Sequence, residues 1–152
     1  MRQFGLIGFP LSHSFSQKYF TEKFLKENIS DAEFLNFSIP DVTAIETIFR
    51  DHPLLQGLAV TIPYKKSVIP YLNSVNDAVK ETSACNCIKI RGAIKTGFNT
   101  DIIGFEKSFV KQLKPHHKKA LILGTGGASA AIQYVLKKLN IEYLLVSRNE
   151  SL

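Results

Sequence analysis

Leu121-Ile122-Leu123-Gly124-Thr125-Gly126-Gly127-Ala128-Ser129 runs from an apolar strand straight into a glycine turn, and a helical pattern follows it. Strand, glycine turn and helix in that order let backbone N–H groups and a helix N-terminus hold a pyrophosphate. Against the pattern G-x-G-x-x-G/A, Gly124 and Gly126 fill the first two places; the third falls on Ser129, and Gly127 and Ala128 supply the small residues instead. The same residues would also suit a turn that only reverses the chain. With a strand expected at 120–123, a helix at about 128–139 and a strand at 143–146, the segment reads as a βαβ unit. Sites for NAD usually carry an acid about 20 residues past the turn, which accepts hydrogen bonds from the ribose 2′-hydroxyl. Here that place holds Ser147, Arg148 and Asn149; Glu142 lies at the wrong end of the strand and Glu150 is the weaker competitor. Arginine cannot accept such a bond, but its fork of donors fits a 2′-phosphate, which points to NADP.

Residues 118–152 number 35, too few to sustain a core without disulfides, metal or a partner. Most of the core must therefore come from the residues before them. There, strands are expected at 3–9, 33–39 and 57–62. The helix after the first strand carries Tyr19, Phe20, Phe24 and Leu25 as one stripe, and the helix after the second is capped by Asp41 and carries Val42, Ile45, Ile48 and Phe49. Pro63 suits the first position of a further short helix or turn over 64–72. Two short strands, 85–91 and 93–98, join at Gly92 as a hairpin, so the sheet becomes mixed. A longer helix over 99–114, ended by Pro115, bridges to the glycine turn. The fold class is α/β: a mixed, mainly parallel sheet flanked by helices over 1–114, then the first βαβ unit of a Rossmann domain over 115–152.

With 152 residues, 45% of them apolar, the chain can bury a real core. It has no apolar run long enough to span a bilayer, and its start lacks the layout of a signal peptide, so a cytoplasmic protein that does not bind membrane is expected. Cys85 and Cys87, one residue apart, suit neither a disulfide nor a zinc site, and the four histidines show no metal-ligand spacing. The net charge of +6 suits a phosphate-bearing cofactor or a carboxylate substrate. The basic stretch Lys114-Pro115-His116-His117-Lys118-Lys119 has no interleaved aromatics and reads as a solvated linker, so no nucleic-acid partner is expected.

Four places can carry chemistry. Lys65, two residues after Pro63 and beside Lys66, would sit in a first helical turn, where the dipole and the neighbouring cation favour its neutral form. Solvated lysines are nevertheless common. Asp101, where a strand becomes a helix, can cap that helix or orient a lysine and a substrate hydroxyl. Ser14 and Ser16 can bind an anionic or hydroxylated ligand, with Ser16 also placed to cap the first helix. Asn86 shares strand parity with Ile88 and Ile90, so its amide needs a partner if buried.

In this order the motifs resemble those of the shikimate dehydrogenase family over nearly the whole chain. Gly8-Phe9-Pro10-Leu11-Ser12-His13-Ser14-Phe15-Ser16 is similar to the family's G-x-P-x-x-H-S-x-S segment, which implies that Ser14 and Ser16 bind the substrate carboxylate. Val60-Thr61-Ile62-Pro63-Tyr64-Lys65 resembles V-T-x-P-x-K, implying a substrate contact for Thr61 and a catalytic role for Lys65. Ala84-Cys85-Asn86-Cys87 and Asn99-Thr100-Asp101 resemble A-x-N-T and N-T-D, implying substrate contacts for Asn86 and Asp101, the latter paired with Lys65. The family's G-x-G-G-A-[SA] turn fits Gly124 to Ser129, implying cofactor contacts for Gly124, Gly126, Gly127 and Ala128, while N-R-[ST] is met in part by Arg148. Ala59 stands where many members have asparagine, and Cys87 where threonine is usual.

The implied reaction is the reversible, NADP-dependent reduction of 3-dehydroshikimate to shikimate, a step towards aromatic amino acids and chorismate, in a monomer or homodimer. Hydride would pass between the nicotinamide and the ring carbon while Lys65 exchanges a proton with the oxygen. Family members continue through more Rossmann strands and return a C-terminal helix to the first domain, so the chain is expected to be the front part of a longer enzyme. The alternatives are a quinate/shikimate dehydrogenase using NAD or NADP, and a substrate-binding module without turnover.

Overall fold

A computed structural model describes residues 1–147. It begins β1 (Arg2–Gly8), α1 (Ser16–Lys26), β2 (Ala32–Ser38), a 3₁₀ turn at Val42–Ala44, α2 (Ile45–Asp51) and β3 (Leu55–Val60). Both crossovers start from this parallel trio, in which β1 is central: β2 and β3 flank it. Alternation along β1 sorts its side chains to two faces. Leu6 and Phe4 pack with Phe20 and Phe24 of α1 and with Phe34, whereas Ile7 joins Ile45 and Ile48 of α2 in the larger cluster. The rest of the stripe expected on α1 does not pack: Tyr19 and Leu25 are exposed. Only one edge of α1 meets the sheet, so two aromatics are enough to seat it. Asp41 caps the 3₁₀ turn that leads into α2 rather than α2 itself, its side chain accepting from Thr43 N at 2.8 Å.

The sheet then adds β4 (Ser74–Val75), β5 (Cys87–Arg91) and β6 (Ile94–Phe98), with α3 (Asp77–Thr82) between β4 and β5. Its order is β2-β1-β3-β5-β6-β4. The strand β5 runs antiparallel to both β3 and β6, and the other pairs are parallel, so the sheet is mixed and mainly parallel. The hairpin turns at Gly92, whose φ of +56° is open to glycine at little steric cost. Neither β4 nor α3 is foreseeable from the apolar pattern, because β4 has two residues and α3 six.

No helix follows Pro63. Residues 63–67 form turns, and only Ile69–Tyr71 makes a 3₁₀ turn. Long-range partners hold the backbone here: Cys85 N donates to Lys65 O at 2.7 Å, and the Tyr64 hydroxyl donates to Ile39 O. A tertiary bond thus takes the Lys65 carbonyl that a helix would have used, and no helix started by Pro63 places its dipole at Lys65.

The bridging helix α4 spans Asp101–Val110, shorter than the 99–114 expected, because Asn99 is held in the chain before it and turns begin at Lys111. After it come β7 (Lys119–Leu123), α5 (Gly127–Lys138) and β8 (Glu142–Val146), with β7 and β8 paired in parallel as a second, separate sheet. One side of α5 covers this pair through Leu136, Ile122 and Ile141. Its other side meets α4, where Ala131 and Val135 pack on Ile102 and Phe105. Lys138 crosses the same contact to Glu106 at 2.8 Å.

Candidate functional site

The C-terminal ends of β1, β3 and β6 and the start of antiparallel β5 all lie on one edge of the large sheet, as the registers Ile7↔Val60, Ala59↔Cys87 and Cys87↔Phe98 require. The segments leaving that edge carry Ser14 and Ser16, Thr61 and Lys65, Asn86, and Asp101. In open α/β sheets the carboxyl edge of the strands is where ligands bind.

At its centre Lys65 Nζ lies 2.6 Å from Asp101 Oδ2, with the two side chains 17% and 30% exposed. The second carboxylate oxygen, Oδ1, accepts from Asn86 Nδ2 at 2.7 Å. Asn86 itself is fixed, since its Oδ1 accepts from Thr100 N at 2.8 Å. One carboxylate thus joins a cation from the β3 turn to an amide beside β5, and charge-assisted bonds of this kind are the strong ones.

Behind this pair lies Asn99, 3% exposed, whose role was not foreseen. Its Oδ1 accepts from Asp101 N at 3.0 Å, and its Nδ2 donates to Thr82 Oγ1 and Ala84 O, both at 3.0 Å. It therefore ties the first residue of α4 to the end of α3. Thr100, the residue just before α4, makes no capping bond with its own side chain. Asp101, in its first turn, is free to serve Lys65 and Asn86, and Asn99 meets the backbone's need. The sequence signal was a third polar residue beside Thr100 and Asp101, silent until burial is known.

Ser14 does what was expected of Ser16: its Oγ accepts from Ser16 N at 3.3 Å, while the Ser16 side chain caps nothing. Both serines are half-buried. Thr61, also half-buried, lies against the end of β1, where a Cβ at Gly8 would collide with its Cγ2.

Gly126 caps α5 without any side-chain bond, which leaves the first N–H groups of that helix to backbone partners, solvent or ligand. At Gly124, φ is +105°, a conformation that favours glycine. At Gly126, φ is −70° and a Cβ would meet nothing within 4 Å, so neither backbone nor packing asks for glycine there. The open space at Gly126 leaves room for the close approach of a ligand's phosphates, and the turn fits a pyrophosphate. Ala128 is in the first turn of α5, exposed. Arg148 lies outside the described residues.

Cys85 is fully buried, and desolvation pushes its thiol up to about 11; Cys87 is shifted up by the same cause. Both thiols are free. Among the described residues there is no group of three or more His, Cys, Asp or Glu able to hold a metal, and no helix long and apolar enough to cross a membrane.

Residues 6–88 match the family model described as the shikimate dehydrogenase substrate binding domain. The shikimate dehydrogenase (NADP(+)) of Aquifex aeolicus is 37% identical over 151 residues, 97% of this chain and 55% of that protein. That of Staphylococcus haemolyticus is 39% identical over 140 residues, 90% of this chain and 52% of its own length. The crystal structure of shikimate dehydrogenase 1 from Peptoclostridium difficile superposes with a TM-score of 0.90 at 33% identity, covering 99% of this chain and 57% of that one. A shikimate dehydrogenase solved in complex with NADP+ superposes with a TM-score of 0.81 at 27% identity, covering 95% of this chain and 50% of its own. The chain thus spans about half the length of the curated relatives it matches. A sheet edge that gathers Lys65, Asp101 and Asn86, a glycine turn ahead of a helix, and a family model matched from residue 6 to residue 88 agree: this chain belongs to the shikimate dehydrogenase family.

Proposed function

We propose that the chain provides the substrate-binding and proton-transfer part of an NADP-dependent shikimate dehydrogenase, with residues 1–114 as the substrate half and 115–152 as the beginning of the cofactor half. The observation that carries this reading is the Lys65–Asp101 pair at 2.6 Å on the carboxyl edge of the sheet. In reduction, the Lys65 ammonium donates a proton to the oxygen of the 3-dehydroshikimate carbonyl as that carbon takes up hydride, and solvent later reprotonates the amine. Bound NADPH would supply the hydride. In oxidation the neutral amine accepts the hydroxyl proton instead.

Asp101 keeps the ammonium aimed, and with Asn86 it presents polar groups to the substrate hydroxyls. Ser14 and Ser16 take the substrate carboxylate, and Thr61 makes a further substrate contact. Gly124, Gly126, Gly127 and Ala128 would hold the pyrophosphate against the start of α5. The choice of NADP over NAD is supported by the named cofactor of the relatives and by Arg148, whose guanidinium suits a 2′-phosphate.

In the protein that carries this sequence, Lys65→Ala is expected to lower kcat for shikimate oxidation by at least about 100-fold. Calorimetric binding of shikimate should persist, because the carboxylate contacts remain. Unchanged NADP-dependent turnover in this variant would remove Lys65 from the mechanism. Since the matched family model is a substrate binding domain, residues 1–152 alone are also expected to bind shikimate; a flat calorimetric titration would contradict that.

A further inference from the structure

Of the glycines in the turn before α5, Gly127 has neither of the reasons that explain the other two. It lies in the first turn of the helix, outside the left-handed region, so its backbone suits any L-residue. A Cβ placed there would not point into open space, as it would at Gly124 and Gly126. Its three nearest atoms would all belong to one side chain, Lys65: Cδ at 3.1 Å, Cβ at 3.2 Å and Cγ at 3.6 Å. No atom of β7 is among these three, and the place where the third glycine of a dinucleotide turn lets helix pack on strand is held by Ser129, so that packing does not account for Gly127.

We propose that Gly127 is a positioning residue for Lys65, its missing side chain letting the lysine stem lie flat against the start of α5. The inference rests on Lys65 being the proton-transfer group. Three contacts then fix that lysine along its length. Cys85 N holds the backbone carbonyl at 2.7 Å, Gly127 borders the methylenes, and Asp101 holds the ammonium at 2.6 Å. The first and third come from the loop before β5 and from α4, while the second belongs to the cofactor turn. Gly127 therefore sets the proton donor in register with the turn that binds the pyrophosphate. At 3.1 to 3.2 Å a methyl group is tighter than ordinary contact, and the Cβ end of the stem is tied to the backbone. The lysine must move by a few tenths of an ångström, and the ammonium at its end moves with it.

The test compares Gly127→Ala, Lys65→Ala and the double variant in the protein that carries this sequence, by steady-state kinetics with shikimate and NADP+. Gly127→Ala should lower kcat about tenfold and leave both KM values within about twofold, because alanine keeps the backbone N–H offered to the pyrophosphate and its Cβ faces the lysine stem. In the Lys65→Ala background the same substitution should leave the residual kcat unchanged, the stem it would displace being gone. A second readout needs no cofactor: amine-reactive labelling followed by mass spectrometry, with Lys66 as the internal standard. Displacement from Asp101 should raise the Lys65-to-Lys66 labelling ratio severalfold in Gly127→Ala. A wild-type kcat, a loss carried by KM for NADP+, an equal loss in both backgrounds, or an unchanged labelling ratio would each overturn the proposal. Wild-type turnover by Lys65→Ala alone would instead overturn the assignment of Lys65, whereas the labelling ratio would still report whether Gly127 holds the stem.

Discussion

At the scale of single residues, the site depends on a buried amide that touches no substrate in the proposed reaction. Asn99 satisfies Asp101 N, Thr82 Oγ1 and Ala84 O at once, so replacing it with leucine strands buried polar groups. Asn99→Leu should destabilise the protein by about 2–4 kcal/mol in urea unfolding, since each buried orphan costs about 1–3 kcal/mol. Activity should fall further than the loss of folded protein explains, because Asp101 loses its backbone anchor. Cys85 offers a test through pH. Its thiol is pushed up from 9.0 to about 11 by burial, so between those values the unfolded chain sheds a proton that the folded protein keeps. Stability is therefore fully present below pH 9 and declines as pH rises through 11, by roughly 2–3 kcal/mol for a shift of this size. Urea midpoints measured from pH 8 upwards should fall more steeply in the wild type than in Cys85→Ala; parallel curves would show that the thiol is not the cause.

At the scale of elements, short pieces carry much of the geometry. The six-residue helix α3 ends at Ser83 in the left-handed conformation, φ 50° and ψ 34°, where glycine is the usual residue. That conformation costs a non-glycine residue roughly 1–2 kcal/mol, partly offset by the entropy glycine loses on folding. Ser83→Gly should therefore raise stability by about 0.5 kcal/mol, seen as a higher melting temperature in calorimetry. A lower one would show that the serine side chain stabilises this turn. The turn after β3 makes the opposite point. Pro63 is a good helix starter by local rules, yet the carbonyl of Lys65 is taken by Cys85 and the Tyr64 ring by the core, so the segment stays a turn.

At the scale of the whole molecule, the two sheets differ in how they are covered. The large sheet carries α1 on one face and α2 on the other, whereas among the described residues the β7–β8 pair is packed by α5 on one face alone. On its other face Leu123 and Leu144 are 77% and 72% exposed, with Leu121 and Val146 beside them. Parallel strands are normally buried on both faces. Residues 1–152 should consequently bind an apolar dye, and Leu123→Lys with Leu144→Lys should lower that signal while circular dichroism stays unchanged. Equal dye binding by the variant would place the exposed apolar surface elsewhere.

The amino-acid sequence by itself determined the alternation of strands and helices, the hairpin at Gly92, the cap at Asp41 and the glycine turn, because each depends on local patterning or on one residue's backbone preference. Its ordered motifs also carried the family resemblance, and of the residues they singled out the structure joins Lys65, Asn86 and Asp101. Only the tertiary structure decided that no helix follows Pro63, that Ser14 rather than Ser16 caps α1, and that Asn99 anchors Asp101. Only it brought the Lys65 stem against Gly127, 62 residues further along the chain. The opening glycine turn was legible as a turn from its spacing. What each glycine is for depends on which atoms come near it, and packing between distant segments sets that.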